Sequence, residues 1–207
     1  MGDLLKSGSI LKAPEPDDGN RLWKVVEEPS IEPISVADVK EFARIDGNDE
    51  DSLIEDFIEV VRKSAESYLG RAFIKQKIRL VMDFWPDEVI NLPRPPLLSI
   101  IKVATLDEDD TETEYSSNNY YAITESVPGK LVIKNGVTAP TNTTRYHGGY
   151  LIEYYAGYGT FDQKVPSPIR MGLKLWVASV YENRQIDTSN PPPEARKALD
   201  LFRVLRY

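Results

Sequence analysis

The stretch at residues 150–184, YLIEYYAGYGTFDQKVPSPIRMGLKLWVASVYENR, decides the fold. Its first half alternates. Leu151, Glu153 and Tyr155 fall on one side and Ile152, Tyr154 and Ala156 on the other, in a run rich in β-forming aromatics. Gly157 and Gly159 bracket Tyr158 and end that strand. Pro166 disfavours helix at Val165. Ser167 is then a cap, with Pro168 at a first helical position where its missing N–H costs nothing. The helix is expected to run to about Arg184. Ile169, Leu173, Trp176, Val177 and Val180 fall within roughly 100° of one another, the width of a core-facing stripe. Trp176 is expected to be buried near Phe57 or Val61. Met171, Leu175 and Ala178 lie on another face. That face implies a second cover, for which a neighbouring subunit is one explanation.

Upstream of this stretch come two helices and a series of strands. Residues 1–30 read as an extended arm, broken by Pro14, Pro16 and Pro29, in which Trp23, Val25 and Val26 can pack as a strand or an anchor. Ser35 and Asp38 have the spacing of a capping box, with Asp in place of Glu. A short helix follows over about residues 36–45, then a turn at Asp46-Gly47-Asn48-Asp49. The spacing predicts a second helix over residues 50–69 with Gly70 just past its end. Leu53, Ile54, Phe57, Ile58, Val61, Ala65 and Tyr68 share its apolar side. Glu55, Glu59, Arg62, Lys63 and Glu66 share the polar one. Strands are expected at 76–84, 89–92, 97–106, around 115–133, and 145–155, with Pro93-Arg94-Pro95-Pro96 outside any sheet. Turn signals at this density read as an antiparallel sheet or small barrel.

The fold class expected is α+β: a helical bundle with an inserted antiparallel β-rich domain and a C-terminal docking helix. Residues 1–31 form the arm, 32–72 the N-terminal helices and 73–160 the β-rich domain. Residues 161–190 hold the long helix that completes the bundle, with a linker, and 191–207 the docking segment. Pro191-Pro192-Pro193 reads as a stiff spacer. Beyond it Leu199, Leu201, Phe202, Val204 and Leu205 combine with Arg196, Lys197, Arg203 and Arg206. An apolar, basic helix in an acidic protein suits an acidic groove on another chain. The alternative is that it folds back on its own bundle.

Composition narrows the function. The chain has 207 residues, a formal charge of −8, no cysteine and one histidine. Disulfides, thiol catalysis and Cys-ligated zinc are excluded. No apolar run approaches the ~20 residues of a membrane span. Residues 1–20 lack the apolar core of a secretory leader, which points to cytosolic synthesis. The acidic balance argues against a protein that grips nucleic acid, because phosphate neutralisation supplies much of such affinity. His147 reads as structural or surface, and no G-x-S-x-G elbow surrounds a serine. The acidic run at residues 107–110 lacks the glycine and glutamate spacing of an EF-hand loop and reads as a solvated hairpin turn. Gly157-Tyr158-Gly159 is no phosphate loop. No catalytic, cofactor or metal site is expected. A binding module with Tyr120, Tyr121, Tyr154 and Tyr158 as an aromatic platform is the second reading.

The order of pieces resembles one family. Glu32-Pro33-Ile34-Ser35-Val36-Ala37-Asp38-Val39-Lys40 with Arg44-Ile45-Asp46 is similar to its first helix. Asp49-Glu50-Asp51-Ser52-Leu53-Ile54 and Glu66-Ser67-Tyr68-Leu69-Gly70-Arg71 open and close its second. Leu92-Pro93-Arg94-Pro95-Pro96-Leu97 resembles the proline knuckle before its central strand. Tyr154-Tyr155-Ala156-Gly157-Tyr158-Gly159, Val165-Pro166 and Tyr181-Glu182-Asn183-Arg184 resemble its closing strand and helix. The family is the head–tail connector, or adaptor, family of tailed bacteriophages and gene transfer agents. The resemblance covers about residues 32–184. It implies a non-enzymatic protein of the virion neck, assembled in the host cytoplasm. It also implies a homo-oligomeric ring, usually a dodecamer, beneath the portal protein. Such a ring carries double-stranded DNA through its lumen without specific binding and offers a surface to stopper or tail proteins. Leu199, Phe202, Arg203, Leu205 and Arg206 are then the expected portal-docking residues. Met171, Leu175 and Ala178 are the expected subunit interface. Glu55, Glu59 and Glu66 are lumen candidates if their helix lines the channel.

Overall fold

A computed structural model describes residues 21–86, 89–141, 143, 145–184 and 190–204. The N-terminal arm up to residue 20, part of the linker, and Leu205 and Arg206 lie outside the described residues. The described chain is mixed α+β with antiparallel sheets.

Strand β1 (Arg21–Glu27) comes first, so the Trp23 patch is a strand. Helix α1 (Val36–Ala43) starts at the expected capping box, with Ser35 and Asp38 exchanging both hydrogen bonds. It stops two residues before the expected end, because Arg44 takes a left-handed conformation. Helix α2 (Asp51–Leu69) ends at Gly70, whose φ of 67° is the left-handed geometry that glycine adopts without strain.

Strands β2 (Gln76–Met82), β3 (Val89–Asn91), β4 (Leu97–Leu106), β5 (Glu112–Tyr115), β6 (Tyr120–Ile123), β7 (Lys130–Ile133) and β8 (Tyr150–Ala156) follow. A five-stranded sheet has the order β1-β2-β8-β4-β5 and a three-stranded sheet the order β3-β7-β6. Helix α3 (Ser167–Asn183) then begins one residue earlier than expected. Pro166 occupies the cap position and Ser167 makes no capping bond. Helix α4 (Pro193–Leu199) passes into a 3₁₀ turn at Asp200–Phe202, which shortens the helix expected over residues 194–207.

Two apolar cores form. In one, Val39 of α1, Phe57, Val61 and Leu69 of α2 and Trp176 of α3 are buried together with Ala195 and Leu199 of α4. Trp176 is 2% exposed in that core, as its place in the stripe requires. In the other, Ile78, Leu80, Ile152 and Tyr154 pack with Ile90, Leu131 and Tyr120, joining the two sheets.

The two cores meet at a backbone seam. The Tyr158 amide donates to the Phe73 carbonyl at 2.8 Å, the Gly157 amide to Pro96 at 2.9 Å, and the Lys75 amide to Gly159 at 2.7 Å. A Cβ on Gly157 would lie 2.6 Å from the Ile74 carbonyl, so this position takes glycine because two backbone segments of the chain touch there. The proline knuckle clamps the same place. Pro93 accepts from the Tyr154 hydroxyl at 2.9 Å, and Pro95 from the Ala72 amide at 3.1 Å. The Arg94 guanidinium donates to the Arg71 carbonyl at 3.2 Å and lies over the Trp23 ring.

Candidate functional site

With no enzyme signature in the sequence, the surfaces by which the chain meets others are the candidate site. The C-terminal segment is one. It does not project. Gly172 is the physical reason. A Cβ there would lie 2.7 Å from Leu199 Cγ, so the missing side chain opens the place on α3 into which α4 sinks. Ala195 and Leu199 are fully buried. Beyond the helix the Val204 amide donates to the Leu69 carbonyl at 3.0 Å, Arg71 donates to the Phe202 carbonyl, and the Tyr68 hydroxyl meets Asp200. The Arg203 guanidinium stacks on the Tyr68 ring at 4.8 Å.

The expectation of a free docking arm is therefore corrected. Leu199 is a core residue of its own chain and has no surface left for a portal. Phe202 is half-buried and Arg203 is exposed. Leu205 and Arg206 lie outside the described residues. What the segment presents outward includes Arg196, Lys197 and Arg203, the acids Glu194 and Asp200, and Leu201, which is 77% exposed. On α3, Met171 is 46% exposed while Leu175 and Ala178 are half-buried, and Leu175 already packs against the helical core.

The polar side of α2 is not uniformly solvated. Arg62 and Glu66 are only 3% and 5% exposed. The Arg62 guanidinium reaches Glu66 at 3.2 Å, Glu32 at 2.8 Å and Glu28 at 3.7 Å. Glu66 also accepts from the Phe73 amide at 2.7 Å and from Gln76 Nε2 at 2.9 Å. Burial pushes the Glu66 carboxyl above the ordinary carboxylate range, opposed chiefly by Arg62. Burial alone would lower the Arg62 pKa, but its carboxylates outweigh that and raise it. This network ties residues 28–34 and the start of the sheets to α2. It removes Glu66 from the lumen candidates, while Glu55 and Glu59 are exposed.

On the outer face of the five-stranded sheet, Glu153 is buried beneath cations. Lys77 lies 2.7 Å from it, Arg79 2.6 Å and Lys102 4.0 Å. Burial raises its pKa, and the bonds from Lys77 and Arg79 more than reverse that, leaving it low.

The remaining candidates fall into place simply. His147 is exposed and pairs with Asp83 at 3.0 Å. Asp107 caps its own turn, its Oδ1 accepting from the Asp109 and Thr111 amides at 3.0 and 2.8 Å. Among the described residues no group of three or more histidines and carboxylates could hold a metal ion, and no helix is long and apolar enough to cross a membrane. The four tyrosines do not make a platform. Tyr154 and Tyr120 are buried in the sheet core, Tyr158 is half-buried and Tyr121 is exposed. Only the i,i+4 spacing of Arg62 and Glu66 pointed to their network, and only the alternation of β8 to the Glu153 cluster.

The sequence profile of the family described as "Phage gp6-like head-tail connector protein" matches residues 33–131. No curated protein matches the sequence. Among solved structures, a chain in the neck of an empty gene transfer agent particle, computed with C6 symmetry, is similar with a TM-score of 0.77 and 18% identity. The match covers 90% of this chain and 97% of that one. A chain in the virion of a native gene transfer agent particle has a TM-score of 0.76 and 20% identity, over 90% and 97% of the two chains. A chain in the neck of a native particle, computed with C12 symmetry, has a TM-score of 0.71 and 17% identity, over 89% and 97%. The resemblance read from the motifs is thus borne out: over residues 33–131 the chain is similar to the gp6-like head–tail connector proteins, and over nine-tenths of its length it shares the fold of chains from gene transfer agent particles.

Proposed function

We propose that the chain is a structural head–tail connector in the neck of a tailed phage or phage-like particle. The observation that carries this is the coincidence of two independent matches. The family profile fits the α1–β7 part, and the fold fits neck chains along almost their whole length. In this reading the helices from both ends of the chain form a body in which the strand-rich region is inserted. Copies assemble as a ring under the portal, in a number compatible with twelve-fold or six-fold symmetry. The ring continues the DNA channel and gives the stopper or tail its attachment surface. The protein is not an enzyme.

The charge supports passage rather than grip. The exposed Glu55 of α2 repels duplex phosphates wherever it faces the lumen, while the exposed Glu59 is offset by its ion pair with Lys63 at 2.6 Å. Met171, Leu175 and Ala178 serve as part of the subunit contact. The outward side of the C-terminal segment, with Arg196, Lys197, Arg203 and Leu201, serves as the portal-facing surface in place of the buried Leu199.

Co-purification tests the reading. A tagged chain expressed in producing cells is expected to bring down a portal ring, and Arg196→Glu/Lys197→Glu is expected to reduce that recovery while the protein stays folded. A chain recovered from particles without portal or tail proteins would overturn the proposal.

A further inference from the structure

The outer face of the five-stranded sheet is polarised in charge from edge to edge. The strand register lines up one row, Lys24 of β1 opposite Arg79 of β2, Arg79 opposite Glu153 of β8, and Glu153 opposite Lys102 of β4. Arg79 is committed to Glu153. Lys24 sits exposed at the sheet edge opposite Arg79, whose charge Glu153 already meets, so Lys24 has room for a further acid. Lys77 belongs to the same face, and Lys75, just before β2, lies over the Tyr155 ring at 3.8 Å. At the opposite edge acids predominate: Glu112 is paired with Lys102 and Asp110 with Arg145, and further acids stay exposed. Glu114 of β5 is exposed opposite Ala104, and the turn before it exposes Glu108 and Asp109. Ala104 pairs with Leu151 and Leu151 with Val81, so Glu114 shares the face that carries Lys24.

Among the described residues both of these edges are open: β1 is hydrogen-bonded to β2 alone and β5 to β4 alone. On β1, Leu22 and Val26 are also exposed beside Lys24. The seven-residue edge strand has Arg21, Lys24 and Glu27 among its apolar residues, and Glu27, in register with Lys77, lies on the Lys24 face; the exposed Leu22 and Val26 still leave the edge fit to pair.

We infer that copies of this chain meet through these two ends, the acidic β4–β5 end of one copy against the Lys24 end of the next. The contact is head-to-tail, the kind that generates a ring when its rotation closes and a filament when it does not. Closure rests on the connector reading above, whereas the contact itself rests on the charges and the open edges. Duplex DNA is the poorer occupant, since the acids on the same face repel phosphate.

A carbodiimide, which joins an amine directly to a neighbouring carboxylate, tests the contact on the intact chain. An equal mixture of ¹⁴N- and ¹⁵N-labelled protein is cross-linked under conditions in which electron microscopy shows assembly, and its peptides are sequenced. The expected product is a mixed-isotope peptide joining Lys24 or Lys77 to Glu114 or to the 107–112 turn. Lys24→Glu and Glu114→Lys are each expected to weaken assembly by roughly fivefold per interface, as loss of an exposed ion pair allows. The double exchange should restore it. Rings without such cross-links would overturn the contact and leave the connector reading standing. Cross-links in open chains would uphold the contact and overturn ring closure. Cross-links found only within one isotope, or duplex DNA bound by the wild type and lost in Lys24→Glu, would overturn the inference. So would double-exchange protein that stays unassembled.

Discussion

Replacing Arg62 with methionine removes one charge from a site where Glu66 is almost as deeply buried. Breaking a buried pair by deleting one partner typically costs about 3–5 kcal/mol, because the other charge is left without its counter-ion. Here the abandoned carboxyl keeps its bonds from the Phe73 amide and Gln76, and it has an escape, which is to take up a proton. Its pKa is already raised by burial, and Arg62 is the main group opposing that rise. Without Arg62 it climbs further. A carboxyl whose folded pKa exceeds its unfolded value of about 4.3 binds the proton more tightly when folded, so stability falls as pH rises between the two. The slope reaches about 1.4 kcal/mol per pH unit in that window. Arg62→Met should therefore cost more at pH 8 than at pH 5. With a urea m-value of about 2 kcal/mol/M, a loss of about 4 kcal/mol moves the midpoint down by about 2 M at the higher pH. Adding Glu66→Gln keeps the acceptor for Phe73 and removes the charge, and should recover about half of the loss. Urea titrations of the three proteins at both pH values check this. An equal loss at pH 5 and pH 8, or a double variant no better than the single one at pH 8, would rule out the dependence of Glu66 on Arg62.

Other perturbations test neighbouring parts of the structure. Trp176→Ala should cost about 3–5 kcal/mol in urea unfolding, since the ring is buried among Phe57, Val61 and Leu173. Gly172→Val places branched atoms where Leu199 now sits, and should expel α4, seen as new proteolysis after residue 190. Truncation at residue 190 uncovers the same apolar trench and should aggregate. A truncated chain that stays folded and loses only its portal would restore the free-arm reading. The Lys174 bond to Asp38, with help from Ser35, holds the Asp38 pKa at about 2. A depressed carboxylate stabilises above its unfolded pKa, and that stabilisation is lost as pH falls from about 4 to 2. Lys174→Met should cost about 1 kcal/mol at pH 7, after discounting for partial exposure, and nothing measurable at pH 2.

Local signals in this chain were strong and the distant ones silent. Ser35 with Asp38, Gly70 after α2, and the stripe from Ile169 to Val180 could be read because each depends on neighbours within four residues. The pairing of β1 beside β2, and of β8 between β2 and β4, depends on residues 45 or more positions apart, and alternation alone does not choose among partners. Arg62 and Glu66 looked solvated because nothing near them in sequence announces the cover supplied by residues 28–34 and Phe73. The C-terminal segment misled for a related reason. Leu199 and Arg203 look like a docking face until Gly172, twenty-seven positions earlier, is seen to leave room for the leucine. Surface roles were the least legible, since whether Met171 or Lys24 meets another copy depends on an assembly the single chain does not contain.

A connector has one place in a particle, the neck. Cryo-electron microscopy of neck complexes from the particles that carry this chain tests it most directly. The expected map shows the chain's α+β fold in a closed ring between portal and tail, with adjacent copies in head-to-tail contact around an open channel. Density for the chain at the tail tip or baseplate, or a neck whose ring is built from a different protein, would contradict it.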